Sequence, residues 1–161
     1  MMAETTIQAP DGVPFIDVSR AFDAPRDLVF RAYTDPALLV QWLGPEQYEM
    51  RIDTYDVRAG GSWRYVHRDG QGNEFGFHGV FHGDPSPDSW VQTFEFEGAP
   101  GHVALDQLRL VEVDGRTTVL THSVYQSLEA RDAMVAGGMA QGMDSGFRRL
   151  DALLGRLVPV A

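Results

Sequence analysis

The 161-residue chain contains no cysteine, and this absence excludes disulfide bonds, thiolate nucleophiles and cysteine-ligated metal centres together. Lysine is also absent, because all 13 basic residues are arginine. Without lysine, the chain can form neither a Schiff base with a carbonyl substrate nor a Walker-type phosphate loop. A chain without cysteine fits the reducing cytoplasm, which is where we expect this protein to function.

Long apolar runs are missing too, since no stretch approaches the roughly 18 residues that a membrane-spanning helix requires. The first residues, "MMAETTIQAP", lack the basic and apolar regions of a secretory signal. Positive charge is scarce, and the net charge of −10 disfavours nucleic acid, whose phosphates require a basic surface. The same charge disfavours anionic membrane surfaces. We therefore expect no nucleic-acid partner and no membrane span.

What the chain does contain is typical of one globular domain. A length of 161 residues suits a single core, and an apolar share of 43% separates the chain from disordered proteins. The polar start, which ends in "PDG", predicts a flexible N-terminal arm over residues 1–12. The remainder predicts a single domain over residues 13–158.

Two short helices are predicted directly after the first strand. That strand is "PFIDVSRAF" (14–22), which we place at an edge of the sheet. In "FDAPRDLVFRAYTDPALLVQWLGP", apolar residues recur at helical spacing on both sides of Asp35-Pro36. Gly44-Pro45 ends the second helix, because glycine permits a left-handed exit and proline cannot continue a helix. We expect these helices to close one end of a groove, with Trp42 facing its interior.

Residues 47–125 carry an almost continuous β pattern. Within "GSWRYVHRDGQGNEFGFHGVF", a loop at Gly70-Gln71-Gly72 predicts a hairpin in which Arg68 faces Glu74. This register gathers the aromatic side chains on one face, and we expect acidic side chains to alternate outward. The inward face of the strands over 103–125 stays open, because "LRLVEV" has apolar residues in both phases.

The C-terminal segment differs, since its apolar residues recur at steps of three and four and predict one long helix. Gly138, Gly142 and Gly146 repeat every fourth residue beside this apolar stripe. A glycine inside a helix costs roughly 1 kcal/mol relative to alanine, so three in one row require a reason. They allow either the close approach of another element or deliberately empty volume. The stripe consists of positions 135, 139, 143, 147, 150, 154 and 157.

The order of elements predicts an α+β protein in which a curved antiparallel sheet of about six to seven strands wraps around the long helix. The runs "FDAPRDLVFRAYTDPALLVQWLGP", "DVRAGGSWRY" and "TTVLTHSVY", with the glycine-rich C-terminal helix, resemble the family of activators of the heat-shock protein 90 ATPase. That family lies in the START-like (SRPBCC, Bet v 1-like) superfamily. The resemblance covers roughly residues 15–155 and implies the helix-grip fold.

The resemblance also implies a hydrophobic cavity between sheet and helix, which the superfamily uses for lipids, polyketides and other small apolar molecules. Leu43 and Arg116 depart from the family pattern, and a change at Leu43 bears on ligand choice. A fold shared by binders, cyclases and co-chaperones does not by itself imply a reaction.

We predict that the protein binds a small hydrophobic ligand in this cavity without catalysing a reaction, and we expect no cofactor and no metal site. It is expected to act as a monomer or a homodimer. The candidate ligand-binding residues, nearly all aromatic or apolar, are Leu39, Trp42, Met50, Ile52, Trp63, Tyr65, His67, Phe77, Phe94, Phe96, Met139, Met143 and Phe147.

Two other functions stay open on the sequence. His67 and Tyr65 share the aromatic face and could orient the polar end of a ligand or donate a proton. They would then act as in a cyclase or hydrolase on an aromatic or polyketide-like substrate. The family resemblance alternatively implies a co-chaperone-like role with a heat-shock protein 90 partner.

The histidines do not form a metal-binding motif. His78 and His82 are four residues apart in a strand, a separation of about 13 Å. Two ligands of one ion must each approach it to roughly 2 Å, so this pair cannot share a metal. A cluster that the fold forms with His122 or Asp106 stays open on the sequence. Weaker polar candidates, whose facing the sequence leaves unresolved, are Gln92, Arg109 and His122.

Overall fold

A computed structural model describes residues 3–158, and its elements follow the predicted order of strands and helices. The strands are β1 Thr6–Gln8, β2 Phe15–Phe22, β3 Glu49–Tyr55, β4 Ser62–Arg68, β5 Glu74–His82, β6 Ser89–Phe96, β7 Val103–Val113 and β8 Arg116–Val124. The helices are α1 Arg26–Thr34, α2 Pro36–Leu39, α3 Leu128–Ala136 and α4 Met139–Leu157. None of these helices is long and apolar enough to cross a lipid bilayer.

All of these strands lie in one antiparallel sheet with the order β1-β2-β8-β7-β6-β5-β4-β3. The short helices α1 and α2 follow β2, and α4 closes the concave side. The predicted α+β helix-grip fold is therefore confirmed, and residues 3–158 form a sheet of eight strands where about six to seven were expected.

The expected flexible arm over residues 1–12 contains a short strand, and its first two residues lie outside the described range. Thr6–Gln8 pair with β2, and Ile7 lies directly opposite Val18. A β-branched residue suits this half-buried position, and Ile7 packs against the core. β2 consequently lies between β1 and β8, so the prediction that it forms an edge of the sheet is wrong.

The predicted β4–β5 hairpin is confirmed, because Arg68 pairs with Glu74 and Gly72 adopts a left-handed φ of 84°. The neighbouring strand β3 is less regular than its alternating sequence suggests. A register shift between Ile52 and Thr54 leaves Thr54 exposed and turns Tyr55 inward instead. A β-bulge of this kind inserts one residue and reverses the faces that follow it.

The inward faces of β7 and β8 are now defined. On β7, Leu108 and Leu110 are buried, whereas Val111 and Val113 are exposed at the far end of the strand. Apolar residues occupy both faces of this stretch, but those on only one face contribute to the core. On β8, the buried residues on the same face are Thr117 and Val119.

The C-terminal segment forms two helices instead of the one that the apolar stripe predicts. α3 ends at Ala136, and Gly138 adopts a left-handed φ of 85° before α4 begins. A left-handed residue interrupts the helical hydrogen-bond ladder, and glycine takes this conformation without steric cost. Val135 is accordingly 44% exposed, while Phe147, Leu150 and Leu154 of the stripe are buried.

An ion pair fastens α4 to the sheet. Arg20 on β2 donates to Asp151 on α4 through two hydrogen bonds of 2.5 and 3.0 Å. The guanidinium is buried and lies 4.8 Å from the centre of the Phe22 ring. A bidentate pair of this geometry fixes orientation as well as distance, so the C-terminal turns of α4 hold a defined position over β2.

Candidate functional site

A cavity of about 1020 Å³ lies between the concave face of the sheet and the helices α3 and α4. Most of its lining comes from β4 to β8, from α3 and the first half of α4, and from the segment around α2. The strands β2 and β3 and the helix α1 contribute Val18, Tyr55 and Tyr33. Small-molecule sites in proteins commonly enclose about 300–1,000 Å³, so this volume lies at the upper end of that range.

One side of the cavity is an aromatic wall, which we define as Trp63, Tyr65, Phe77, Phe94 and Phe96. Its rings form a continuous layer, since Trp63 stacks on Tyr65 at 5.2 Å between centroids and Tyr65 stacks on Phe77 at 5.4 Å. Phe94 and Phe96 follow at 5.5 and 5.1 Å from Phe77. The wall arises because period-two alternation on three neighbouring strands turns these residues to the same face.

Trp42 closes the end of the cavity near α2. Its side chain is 1% exposed, and its indole Nε1 donates to the carbonyl oxygen of Ala32 at 3.0 Å. The ring meets Tyr33 edge-on at 4.8 Å and stacks on Phe147 at 6.5 Å. Hydrogen bonding and ring packing therefore hold this tryptophan in one orientation at the cavity surface.

The glycines of α4 bring that helix against the loop that follows α2. A Cβ atom at Gly146 would lie 3.2 Å from the backbone oxygen of Trp42 and 3.3 Å from the backbone nitrogen of Gly44. A Cβ at Gly142 would lie 3.7 Å from Pro45, which is ordinary contact. Of the two explanations that the sequence left open, close approach applies at Gly146, although both glycines also border the cavity.

Eleven of the thirteen candidate ligand-binding residues line the cavity, and Met50 and Ile52 do not. Both exceptions belong to β3, the last strand of the sheet, and they pack half-buried against the core. They share a face with their partners on β4, His67 and Tyr65, but this part of β3 lies one strand beyond the part of that face that borders the cavity. The residues that do line it are Leu39, Trp42, Trp63, Tyr65, His67, Phe77, Phe94, Phe96, Met139, Met143 and Phe147.

His67 is buried in apolar surroundings. Its side chain is 5% exposed, and its ring stands edge-on to Tyr65 at 5.2 Å and to Phe77 at 5.4 Å. Its Nδ1 has no hydrogen-bond partner within residues 3–158. Burial lowers the pKa of His67 to about 4, and the nearby positive charge of Arg149 adds to this effect.

The pair formed by His67 and Tyr65 is poorly suited to proton donation. With its lowered pKa, the imidazole is neutral at pH 7 and carries no acidic proton to give. Burial also raises the pKa of the Tyr65 hydroxyl well above its ordinary value, which makes it a weaker acid. Both groups retain the ability to orient a polar end of a ligand by hydrogen bonding.

A row of polar side chains crosses the floor of the cavity beside the aromatic wall. Gln92 on β6 lies opposite Asp106 on β7, and Asp106 lies opposite Ser123 on β8. All three line the cavity, together with Tyr125 just after β8. Asp106 corrects the expectation that acidic side chains alternate outward. The sequence pointed to it only as a candidate metal partner of the histidines and did not predict its place in the cavity.

The alternation of apolar residues along β7 indicated an inward position for Asp106, but only ambiguously. It shares its phase with Ala104, Leu108 and Leu110, all of which are buried on the inward face. The opposite phase holds Leu105 and Val111, so the apolar pattern alone could not select the face. Only the pairing of β7 with its neighbours decides the question.

Burial raises the pKa of Asp106 to about 6, and the neighbouring Ser123 hydroxyl opposes this rise in part. The carboxylate forms no ion pair with any residue of the described range 3–158. Burial is the main cause of the raised pKa values of Tyr65 and Tyr125, and the negative charge of Asp106 adds to both. The pKa of Tyr125 reaches about 12. Asp106 is therefore a carboxyl group without a cation in a mostly apolar cavity.

The other polar candidates, Gln92, Arg109 and His122, lie on two different faces of the sheet. Gln92 lies in the cavity, and its Oε1 accepts from the indole Nε1 of Trp90 at 3.2 Å. His122 and Arg109 lie on the opposite side of the sheet, where His122 contacts Asp17 at 2.6 Å. Within residues 3–158, no group of three or more metal-ligating side chains converges on one point.

The chain is similar to proteins of a known family and to solved structures over nearly its whole length. The family model described as "Activator of Hsp90 ATPase homolog 1-like protein" matches residues 23–155. A crystal structure of a protein from Rhodobacter sphaeroides is 29% identical in sequence, with a TM-score of 0.87. The match covers 95% of this chain and 99% of that one.

Two further structures show the same fold at lower identity. Protein Ms6760 from Mycobacterium smegmatis is 23% identical, with a TM-score of 0.84 and coverage of 94% of this chain and 97% of that one. A protein from Arthrobacter aurescens is 24% identical, with a TM-score of 0.85 and coverage of 94% and 91%. No curated protein matches the chain.

Proposed function

The chain belongs to the family of Activator of Hsp90 ATPase homolog 1-like proteins, which is START-like, and we propose that it binds a small hydrophobic molecule without transforming it. The binding site is the cavity between the sheet and the helices α3 and α4. The observation that carries the proposal is the aromatic wall, three of whose five rings remain half-buried although they face inward. Those three are Phe77, Phe94 and Phe96.

Half-buried inward aromatic rings supply the free energy for binding. Each Å² of apolar surface removed from water contributes roughly 25 cal/mol. A guest that covers about 200 Å² of the wall therefore gains about 5 kcal/mol, before the cost of immobilisation. Met139 and Met143 face the wall from α4, and their flexible thioethers can adapt to guests of different shape.

Tryptophan fluorescence tests this proposal, because Trp42 and Trp63 both line the cavity. We expect titration with the neutral apolar dye Nile red to quench this emission and to saturate at one dye per chain. Met143→Trp places a large ring inside the cavity and should weaken dye binding at least tenfold. Val135→Trp adds the same ring at an exposed site on α3 and should leave binding unchanged.

Two results would count against a binding cavity. One is the absence of saturable dye binding to a folded protein, as judged by circular dichroism. The other is equal loss of binding in both tryptophan variants, since this would place the dye outside the cavity.

A second candidate function is stimulation of a heat-shock protein 90 ATPase, which is favoured by the family match over residues 23–155. Purified heat-shock protein 90 from the same source organism provides the assay, with ATP hydrolysis as the readout. If stimulation occurs and Met143→Trp preserves it, the surface and not the cavity performs this function. An unchanged ATPase rate at saturating concentrations would remove this candidate.

A further inference from the structure

Over residues 3–158, the cavity lining contains carboxylates but no arginine. The lining contains two carboxylates, Asp106 and Glu129, and two histidines, His67 and His102. Within the described residues it contains no arginine, and the whole chain has no lysine. His67 is neutral at pH 7. Arg149, whose charge adds to the effect of burial on the pKa of His67, lies outside the lining. Its guanidinium donates to the carbonyl oxygens of Gly44 and Gln41. Among the described residues, no permanently charged cation therefore belongs to the cavity lining.

Asp106 is the middle member of the polar row, with Gln92 on one neighbouring strand and Ser123 on the other. The groups around it are Gln92 on β6, Tyr65 on β4, and Ser123 and Tyr125 at the end of β8. All four are neutral at pH 7, and two of them are phenols whose pKa values are raised further. The other carboxylate, Glu129, is an exposed residue in the first turn of α3 at the border of the cavity.

We propose that the cavity selects apolar molecules carrying a protonated amine, whose N–H groups donate to the Asp106 carboxylate, over carboxylates of the same chain length. The proposal rests on the binding function proposed above. It specifies the class of ligand as a hydrophobic tail with a cationic head. The tail lies on the aromatic wall, and the head reaches the polar row of Gln92, Asp106 and Ser123.

The physical reason is the cost of burying unpaired charge. A buried carboxylate is stabilised when a cation and hydrogen-bond donors face it, and an ammonium group supplies both. A fatty-acid carboxylate in the same place would bring a second negative charge beside Asp106 with no arginine to compensate. A neutral alcohol should rank between them, because it can donate one hydrogen bond without adding charge.

Isothermal titration calorimetry with decylamine, decan-1-ol and decanoate at about pH 7.5 and constant ionic strength tests the proposal. The three probes share one tail and differ only in the head group. We expect decylammonium to bind at least tenfold more tightly than decanoate, with decan-1-ol between them. Displacement of Nile red by each probe provides a second measurement of this ranking of affinities.

The variant Asp106→Asn keeps the shape of the side chain and removes its charge. We expect it to reduce the preference for decylammonium over decanoate to less than threefold. Asp27→Asn is the matched control, because Asp27 is exposed on α1, lies outside the cavity lining and makes no ion pair within residues 3–158. This variant also removes one negative charge but leaves the cavity unchanged. Its preference for decylammonium over decanoate should therefore equal that of the original protein.

The outcomes separate this proposal from the binding function. Saturable binding of decan-1-ol without preference for decylammonium would overturn the proposal and leave the binding function intact. Retention of the full preference in Asp106→Asn would overturn it as well. If neither Nile red nor any of the three probes binds, the binding function itself is wrong.

Discussion

The two halves of the concave face have the same sheet and the same helix but differ in how they are filled. In the packed half, α1 and the C-terminal turns of α4 cover β2, β8 and the end of β7. There Leu150 is 0% exposed, and Leu153 and Leu154 are each 2% exposed. In the open half, α3 and the first turns of α4 face the aromatic wall, where Met143 remains half-buried.

This difference shows that the architecture alone does not create a cavity. The packed half receives branched leucines from α4, a ring from Phe147 and the ion pair of Arg20 with Asp151. The open half begins where Gly137 and Gly138 interrupt the helix. Before Phe147, which borders both halves, the side chains that α3 and α4 contribute to it are mostly small or flexible, and the largest are methionines. Space is left in one half because small and flexible side chains there do not fill it.

The largest expected effect compares one helix position in each half. Leu150→Ala removes a side chain that is fully enclosed, and we expect a loss of about 2–5 kcal/mol in the free energy of unfolding. Met143→Ala removes a side chain that already borders empty space, and we expect a loss of about 1 kcal/mol or less. Urea denaturation followed by circular dichroism measures both values.

Similar losses in the two alanine variants would break the distinction between the halves. That result would mean that Met143 makes as many enclosed contacts as Leu150. The space beside it would then be filled in solution by rearrangement of the protein's own side chains.

The pH dependence of stability provides the next test, because the contributions of Asp106 and His67 to the free energy of unfolding change with pH in opposite directions. The pKa of Asp106 is raised from 3.8 to about 6, so its stabilising contribution is complete below pH 4 and is lost as the pH rises to 6. The pKa of His67 is lowered from 6.5 to about 4, so its contribution is complete above pH 6.5 and is lost as the pH falls. Each shift corresponds to at most about 3 kcal/mol.

Single variants should reveal these two slopes by difference from the original protein. The free energy of unfolding of Asp106→Asn, relative to the original, should increase by up to about 3 kcal/mol between pH 4 and pH 7. For His67→Gln the relative value should increase as the pH falls over the same interval. Urea titrations at four pH values measure both, and slopes of the same sign would contradict the assigned environments.

Much of this fold could be predicted from local patterns in the sequence. The β4–β5 register followed from the loop at Gly70–Gly72, and the short helices followed from Asp35-Pro36 and Gly44-Pro45, because turn chemistry acts over few residues. The family resemblance, now confirmed, added the arrangement of the sheet around the helix.

The failures have long-range or ambiguous causes. The strand at Thr6–Gln8 forms because β2 offers it a partner, which no local pattern reveals. The inward position of Asp106 was missed because both phases of its strand are apolar and only pairing with β6 and β8 selects one. The break at Gly138 was missed because the apolar stripe continues through it, although the glycine pair was a visible signal.

The smallest expected effect separates two glycines of α4 that the sequence alone treats as equivalent. Gly142→Ala adds a methyl group in ordinary contact with Pro45 and should stabilise the protein by up to about 1 kcal/mol through helix propensity. Gly146→Ala places the methyl group against backbone atoms of Trp42 and Gly44, which cannot move without displacing the segment that closes the cavity. We expect a loss of about 1 kcal/mol there, measured by urea denaturation. If Gly146→Ala were as stable as Gly142→Ala, α4 would not be in tight contact with that segment, and the cavity would lack a fixed end.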